Sequence, residues 1–487
     1  SRSLPLGPFS DRENPFERPS GRSAMVHGSC KEEPLLSTPQ RSLSFSSCQG
    51  FPECQGDPGS REELAKKHPE HVGKADLRVA VSNVVLSVLG AGQLTLPYAL
   101  SQLGLTFGVV CLVVFALLSV YSCHTLSVHA VSLQDTPSCC LLSYSEMVVR
   151  AMGRAGEEIC RVMIAIYSWG GGVGFLMILK GELAYLADIV FGLPGILFGL
   201  DTGVMLMMIV SVCVIWPLSS LYDISSLKVF APLACGAAVS ITGVVAACMP
   251  WGAEPCHGPA DAVPGSLKHP GSMKQVPDSL ADVAAALPLL AFALNSSWAY
   301  VPILCTLRDK TGPRIWSLLA GSNTIILLSY LVLSSCGYFM FCGETKPNIL
   351  ESMGDSVDPA SAKGLAVRLA RAALAFQLSI GLPGRFWVAR RTLGGGELPL
   401  FRRCCVSGAL AGSAAVLAAL PLSLATVLGV VSSICASMII YILPAVIDLA
   451  RKALPGAGRR ACSVLSLLVG LFVMCFGLWA NVTGVAK

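Results

Sequence analysis

The residues best suited to chemistry are two glycines and a proline inside the first long apolar stretch, at about residues 77–103. Gly90, Gly92 and Pro97 fall where a helix crossing a bilayer would need an unbroken backbone. At membrane depth, non-helical backbone is tolerated only where it is buried in protein or lines a cavity. Freed amides and carbonyls, with the partial charges of half-helix ends, can bind a small zwitterion or an ion. Glycines also let helices pack closely, and both interpretations stay open.

A second interruption lies in the sixth apolar stretch. Pro288 is followed there by the polar triplet Asn-Ser-Ser at residues 295–297, in mid-membrane. Two interrupted helices at corresponding places in two halves indicate an inverted repeat with a central binding site.

The elements that would hold these breaks are membrane-spanning helices. The chain is 53% hydrophobic and 13% charged, whereas soluble domains carry about 25% charged residues. We number eleven apolar runs of bilayer-spanning length as helix one to helix eleven. Their approximate limits are 77–102, 105–131, 159–190, 202–221, 226–249, 280–306, 314–341, 362–389, 403–421, 423–449 and 462–484.

The loop charges predict the orientation. Most loop Lys and Arg fall on one side if the N-terminus is cytoplasmic, as the positive-inside rule requires. Residues 1–76 are rich in Ser, Pro, Gly, Arg and Glu, which predicts a disordered cytoplasmic tail. The transmembrane domain then covers 77–485, with repeats at 77–249 and 280–449.

The segment around Gly90 resembles the first helix of the amino acid/auxin permease superfamily, which includes sodium-coupled neutral amino acid transporters. The matching letters are Asn83, then GAG at 90–92 and LPYAL at 96–100. Further matches in the family's order are FLMILKGEL at 175–183, WPLSSL at 216–221, 286–302, 337–339, 348–350, LPGR at 382–385 and ILPA at 442–445. The resemblance implies an all-α, LeuT-like five-plus-five inverted repeat with broken helices one and six, an extra eleventh helix, and secondary active transport of amino acids by alternating access.

A site for an amino acid can be assembled at the two breaks. Amides around Ala91, Gly92 and Gln93 suit a carboxylate. Carbonyls near Leu89 and Leu294, and the hydroxyls of Ser296 or Ser297, suit an ammonium. The predicted substrate-binding residues are Leu89, Gly90, Ala91, Gly92, Gln93, Leu294, Asn295, Ser296 and Ser297.

Acidic residues are sparse at this depth. Helices one, six and eight have no central Asp or Glu, so a neutral substrate is favoured over a cationic one. Glu182 and Asp188 in helix three could face the cavity, because ionisable groups inside a membrane span are functional candidates. Near the end of a long helix, the alternative is that they snorkel to the interface.

The resemblance breaks down at the coupling ion. In sodium-coupled relatives, an Asn of helix one and a Thr of helix eight coordinate the cation. This chain has Leu86 at the first position, with Asn83 one turn earlier. Around the second position it has an apolar stretch, 374–376, with Gln377 and Ser379 nearby. Since Na⁺ needs oxygen ligands, we predict proton coupling or exchange rather than sodium coupling.

Twenty cysteines are present, and Cys256 and Cys342 fall in two predicted outer loops. A disulfide between them is compatible with that compartment; the alternative is two free thiols. No CxxC pair or His/Cys spacing suggests zinc, so we expect no metal and no cofactor.

Two other classes of function make different demands on the sequence. A membrane sensor would bind an amino acid and signal through residues 1–76. An enzyme would need clustered nucleophiles at membrane depth, and the sequence has none. The expected location is the plasma membrane or a vacuolar or lysosomal membrane, with the amino acid substrate, the lipid bilayer and possible coupling protons as partners and no nucleic acid.

Overall fold

The structure is a computed structural model. It describes residues 76–134, 144–197, 199–222, 231–259, 261–263, 265–267, 271–308, 310–394, 398–450 and 456–484. The predicted tail lies outside the described residues, apart from Asp76. The described part is nearly all helical, with one short antiparallel ribbon formed by β1 (Ile196–Leu197) and β2 (Leu200–Asp201).

In the first half, helix one is divided into three segments and helix three is kinked at Gly153, whose backbone is not helical. The bounds are Leu77–Val88, Ala91–Leu94 and Leu96–Leu103 for helix one, Leu105–Gln134 for helix two, Tyr144–Phe191 for helix three, Thr202–Val210 with a π turn at Ser211–Ile215 and Trp216–Ser219 for helix four, and Ala231–Cys248 for helix five.

In the second half, helix six is divided in two and helix ten carries two π turns. The bounds are Leu280–Ala293 and Ser297–Thr306 for helix six, Gly312–Phe341 for helix seven, Ala362–Gly394 for helix eight, Leu400–Ala419 for helix nine, Leu424–Val431, Ser432–Ala436, Met438–Ile442 and Leu443–Leu449 for helix ten, and Ala457–Thr483 for helix eleven. A turn at Cys342–Glu344 and a helix at Ile349–Ser356 lie between helices seven and eight.

The prediction of a polytopic all-α membrane protein is confirmed in this coarse form. Nine helices of the described residues are long and apolar enough to cross a membrane, and the bent pair of helix one makes up to ten. The remaining predicted span is helix five, whose apolar window, Gly236–Cys248, is shorter. Eleven spans and the inverted repeat stay predictions.

Helices six and ten form the most buried part of the bundle. Their most apolar windows are each 72% buried, against 22% for helix nine and 28% for helix eleven. Helix three packs along helix eight and also against helices four, nine and ten, while helix six packs against helices one, ten and eleven. The two interrupted helices are therefore surrounded by other helices, as broken backbone at membrane depth requires.

The loops after helices five and seven meet on one face. The structure joins Cys256 and Cys342 by a disulfide, with Cα atoms 5.3 Å apart. The amides of Cys256 and Gly258 donate to carbonyls at the end of helix seven, at 2.9 and 3.0 Å. Val263 donates to the Ser356 carbonyl at 2.8 Å. These contacts hold the first loop against helix seven and the loop helix Ile349–Ser356.

A thiol-labelling experiment tests this pairing. We expect an impermeant maleimide added outside intact cells to label neither Cys256 nor Cys342 until the protein is reduced, because bonded sulfurs do not react with maleimide. Peptide mass mapping before and after reduction identifies each site. A Cys256→Ser variant should leave Cys342 as a free thiol that maleimide labels without reduction once the purified protein is unfolded, because Cys342 is buried. Labelling of both cysteines in unreduced protein would contradict the pairing.

Candidate functional site

Helix one breaks at the two glycines. Its first segment ends at Val88, and a second helical direction, bent by 58°, continues from Gly92 to Leu103. The Gly90 carbonyl accepts from the Gln93 amide at 3.1 Å, and the Gly92 carbonyl accepts from the Thr95 hydroxyl at 3.0 Å. Among the described residues the Gly90 amide has no backbone acceptor, and Gly92 is the second residue of a short helix, where amides lack an intrahelical partner. Both amides are donors that a ligand can use.

Helix six breaks at residues 294–296. Its first part ends at Ala293 and its second begins at Ser297, and the three residues between them are at most 2% exposed. The Leu294 amide still donates to the Leu290 carbonyl at 3.0 Å. The interruptions that the sequence predicts in helices one and six are thus present as breaks in the helical backbone.

The two breaks lie directly against each other. A β-carbon placed on Gly92 would lie 3.1 Å from the Ala293 α-carbon and 3.1 Å from the Phe292 ring. The hydroxyl of Tyr330, on helix seven, lies 2.9 Å from the Val88 carbonyl oxygen and 3.0 Å from the Ala293 carbonyl oxygen. Tyr330 therefore holds the C-terminal ends of both first segments together.

The serines after the helix six break face helix two. Ser119 donates to the Leu294 carbonyl at 3.0 Å, and its oxygen lies 3.3 Å from that of Ser296. Ser122 lies 3.1 Å from Ser297 in the same way. These hydroxyls already have partners, although each hydroxyl or carbonyl oxygen can accept a second hydrogen bond.

Asn295 is the exception in this segment. It is 2% exposed, and neither its side-chain oxygen nor its side-chain nitrogen has a hydrogen-bond partner in the described protein. Buried polar groups are nearly always paired, so such an amide needs an explanation. Tyr167 of helix three lies beside it and donates to the Phe292 carbonyl at 3.4 Å. Asn295 thus points toward helix three, away from the serines.

The predicted site residues do not all face one space. Leu89, Gly90, Gly92 and Leu294 lie at the two touching breaks, whereas the buried Gln93 side chain donates to Ala238 of helix five at 3.4 Å. The Ala91 backbone opens the short helix, and nothing is described of its side chain.

Arg385 of helix eight was not among the predicted site residues. Its guanidinium carbon lies 4.0 Å from the centre of the Phe175 ring, and the same ring would lie 3.5 Å from a β-carbon on Gly90. A β-carbon on Gly171 would come within the space of an Arg385 nitrogen. Two sequence signals could have found it: the LPGR motif at 382–385 and the three consecutive glycines at 170–172.

Glu182 belongs to a separate, closed network. It is fully buried, receives a hydrogen bond from Arg371 of helix eight at 2.5 Å, and a second from Asn348 at 2.8 Å. The Arg371 guanidinium also stacks on the Tyr185 ring, 3.5 Å from its centre. The snorkelling interpretation is therefore wrong for Glu182, whereas Asp188 is exposed near the end of helix three.

Residues 374–376 of helix eight, around the position where sodium-coupled relatives have a cation-binding Thr, have no side-chain oxygen. Leu374 and Ala375 are buried among apolar residues, and Phe376 is exposed. Within the described ranges, no group of three His, Cys, Asp or Glu side chains could hold a metal ion.

Comparisons with known proteins agree with this architecture. A family model described as "Transmembrane amino acid transporter protein" matches residues 73–483. The chain is 23% identical to the "Sodium-coupled neutral amino acid symporter 2" of Danio rerio, over 85% of this chain and 84% of the relative. It is 23% identical to the "Putative sodium-coupled neutral amino acid transporter 11" of Rattus norvegicus, over 88% and 89%. It is 26% identical to the "Amino acid transporter AVT6E" of Arabidopsis thaliana, over 56% and 53%.

Proposed function

We propose that this chain, which belongs to the transmembrane amino acid transporter family, carries neutral amino acids across a membrane by alternating access. The family consists of transporters, not enzymes. The observation that carries the proposal is the contact between the broken helices one and six, joined by the Tyr330 hydroxyl at Val88 and Ala293. Broken helices are the usual substrate sites of secondary transporters.

The chemistry of the breaks supports an amino acid as the substrate. The free amides of Gly90 and Gly92 suit its carboxylate, and the carbonyls near Leu89 and Leu294 suit its ammonium. No carboxylate is described at the breaks, and Glu182, the buried acid of helix three, is bound to Arg371. A cationic side chain would therefore find no counter-charge, which favours a neutral substrate.

Uptake by purified protein in proteoliposomes tests the proposal. Radiolabelled amino acids, offered one at a time, should accumulate with turnover, and protein-free liposomes serve as the control. Binding without accumulation would refute transport and would favour the alternative function, a membrane sensor that binds an amino acid. That sensor would signal through residues 1–76, which lie outside the described residues apart from Asp76. We also propose a cytoplasmic N-terminus and a plasma, vacuolar or lysosomal membrane.

The coupling ion is the second part of the proposal. Two relatives are named sodium-coupled, but this chain has Leu86 and the apolar residues 374–376 where such relatives place oxygen ligands. We infer that transport uses protons or exchange.

Replacing Na⁺ by choline should leave uptake into proteoliposomes unchanged, because neither Leu86 nor residues 374–376 have a side-chain oxygen that could bind the ion. Uptake should rise when the outside is acidified if protons drive it, and preloading with unlabelled substrate should accelerate it if exchange does. A sodium-coupled relative assayed in parallel controls for the choline substitution. Loss of all uptake without Na⁺ would contradict the inference from Leu86.

A further inference from the structure

Arg385 is a cation inside the bundle with no acidic partner. It lies in the last third of helix eight, against Gly171 and Phe175 of helix three. Among the described residues, Tyr167 is the titratable group that acts on its guanidinium, and no carboxylate lies within ion-pair distance. Two further arginines of helix eight are buried: Arg371 is paired with Glu182, and Arg390 donates to Ser407 and to the Leu221 carbonyl near the helix end.

Arg385 is half-buried and lies between helices eight and three. The side chain is well held: the Phe175 ring supports the guanidinium and Gly171 leaves room for it. A cation held away from lipid without a counter-ion is costly, and such residues mark substrate or ion pathways.

Asn295 supplies an independent second observation. Its unpartnered amide lies beside Tyr167, and Tyr167 is also the neighbour of Arg385. The Arg385 guanidinium and the Asn295 amide nitrogen are donors, whereas the Tyr167 hydroxyl already donates to the Phe292 carbonyl. Two donors with no carboxylate described between them are suited to a substrate carboxylate, which accepts several hydrogen bonds and pairs well with arginine.

We propose that Arg385 and Asn295 bind a carboxylate of the transported amino acid on the helix three side of the helix six break. This inference rests on the proposed function and adds a residue to its substrate site. The carboxylate has two possible sources. It is the α-carboxylate for the neutral substrate proposed above; a side-chain carboxylate would instead make the substrate acidic and overturn its neutrality, with the amides of Gly90 and Gly92 left to hold the α-carboxylate.

Substitutions of Arg385 in the full chain, in proteoliposomes, test the proposal. Arg385→Gln should raise the KM at least about tenfold, because a hydrogen bond between charged groups is lost, and Arg385→Lys should raise it less because the charge remains. Arg368→Gln, the same change near the outer end of helix eight, is the matched control and should leave KM unchanged. Labelled alanine and labelled glutamate are the probes. A higher KM for both identifies the α-carboxylate, and a higher KM for glutamate alone identifies the side-chain carboxylate.

Asn295→Asp is a second, independent variant. It places a carboxylate beside Tyr167, the shared neighbour of Asn295 and Arg385, where it can pair with the guanidinium and exclude the substrate. Melting temperature in detergent should stay equal or rise, while the KM rises at least about tenfold for the probe that Arg385→Gln affects. A merely structural role for Arg385 would not separate stability from affinity in this way.

Unchanged KM values for both probes in Arg385→Gln, or wild-type affinity in Asn295→Asp, would overturn the proposal. If the wild-type protein binds the probes without accumulating them, transport fails as a function, and dissociation constants from equilibrium dialysis still decide the role of Arg385. If the wild-type protein binds neither alanine nor glutamate, the carboxylate site is refuted as well.

Discussion

Replacement of Gly92 by valine should abolish uptake while leaving membrane insertion intact. Even a single β-carbon at this position would lie 3.1 Å from the Ala293 backbone and the Phe292 ring. The two added methyl groups of valine would push the broken parts of helices one and six apart. Overpacking of this kind costs about 1–3 kcal/mol, and here it falls on the contact that forms the proposed site.

Gly90→Ala is the matched control for this prediction. A β-carbon there would meet only the Phe175 ring, at an ordinary contact distance of 3.5 Å. Alanine at Gly90 should therefore keep most uptake, whereas alanine at Gly92 should already reduce it. The measurements are initial uptake rates in proteoliposomes and the amount of protein in the membrane fraction. Wild-type uptake by Gly92→Val would contradict the proposed role of the breaks.

This geometry bears on the two interpretations that the sequence left open. The Gly92 α-carbon packs on helix six, as the close-packing interpretation predicts, while the Gly92 amide lacks an intrahelical acceptor, as a ligand site requires. Both can hold for one glycine, because its missing side chain and its amide point in different directions. The sequence alone could not distinguish close helix packing from a ligand site, because a glycine without a side chain is compatible with both.

The breaks of helices one and six could be predicted because Gly, Pro and polar residues in an apolar run act locally on the backbone. Tyr330 could not be predicted as their link. It lies in an apolar run with no motif, and its two partners are carbonyl oxygens 242 and 37 positions away. Such contacts depend on how helix seven packs, which no local pattern encodes.

Arg385 could not be predicted as a site residue for a different reason. The LPGR motif carries the family resemblance, but the sequence does not indicate which neighbouring helix the Arg385 side chain contacts. Only the packing of helix eight along helix three brings the guanidinium beside Phe175 and Tyr167. Arg371, earlier in the same helix, is likewise buried against Glu182, a contact that no local sequence pattern indicates.

The buried pair of Glu182 and Arg371 should be a major determinant of stability. Glu182 is fully buried and Arg371 is 2% exposed, so neither charge is solvated once its partner is lost. Removing one partner of a buried ion pair costs about 3–5 kcal/mol. We expect Glu182→Met and Arg371→Met each to lower the melting temperature of the purified protein strongly and to reduce its yield from the membrane.

The double variant, Glu182→Met with Arg371→Met, distinguishes the stabilisation by the ion pair from the separate contributions of the two side chains. Because it leaves no uncompensated charge, it should be more stable than either single variant, and a double-mutant cycle on melting temperatures measures the coupling. Asn348→Ala is the matched control: it removes one hydrogen bond to Glu182 and the cap on the Leu350 amide but no charge. Its effect should be about 1–2 kcal/mol, smaller than that of either charge deletion. Additive losses in the double variant would show that Glu182 and Arg371 do not stabilise the protein as a pair.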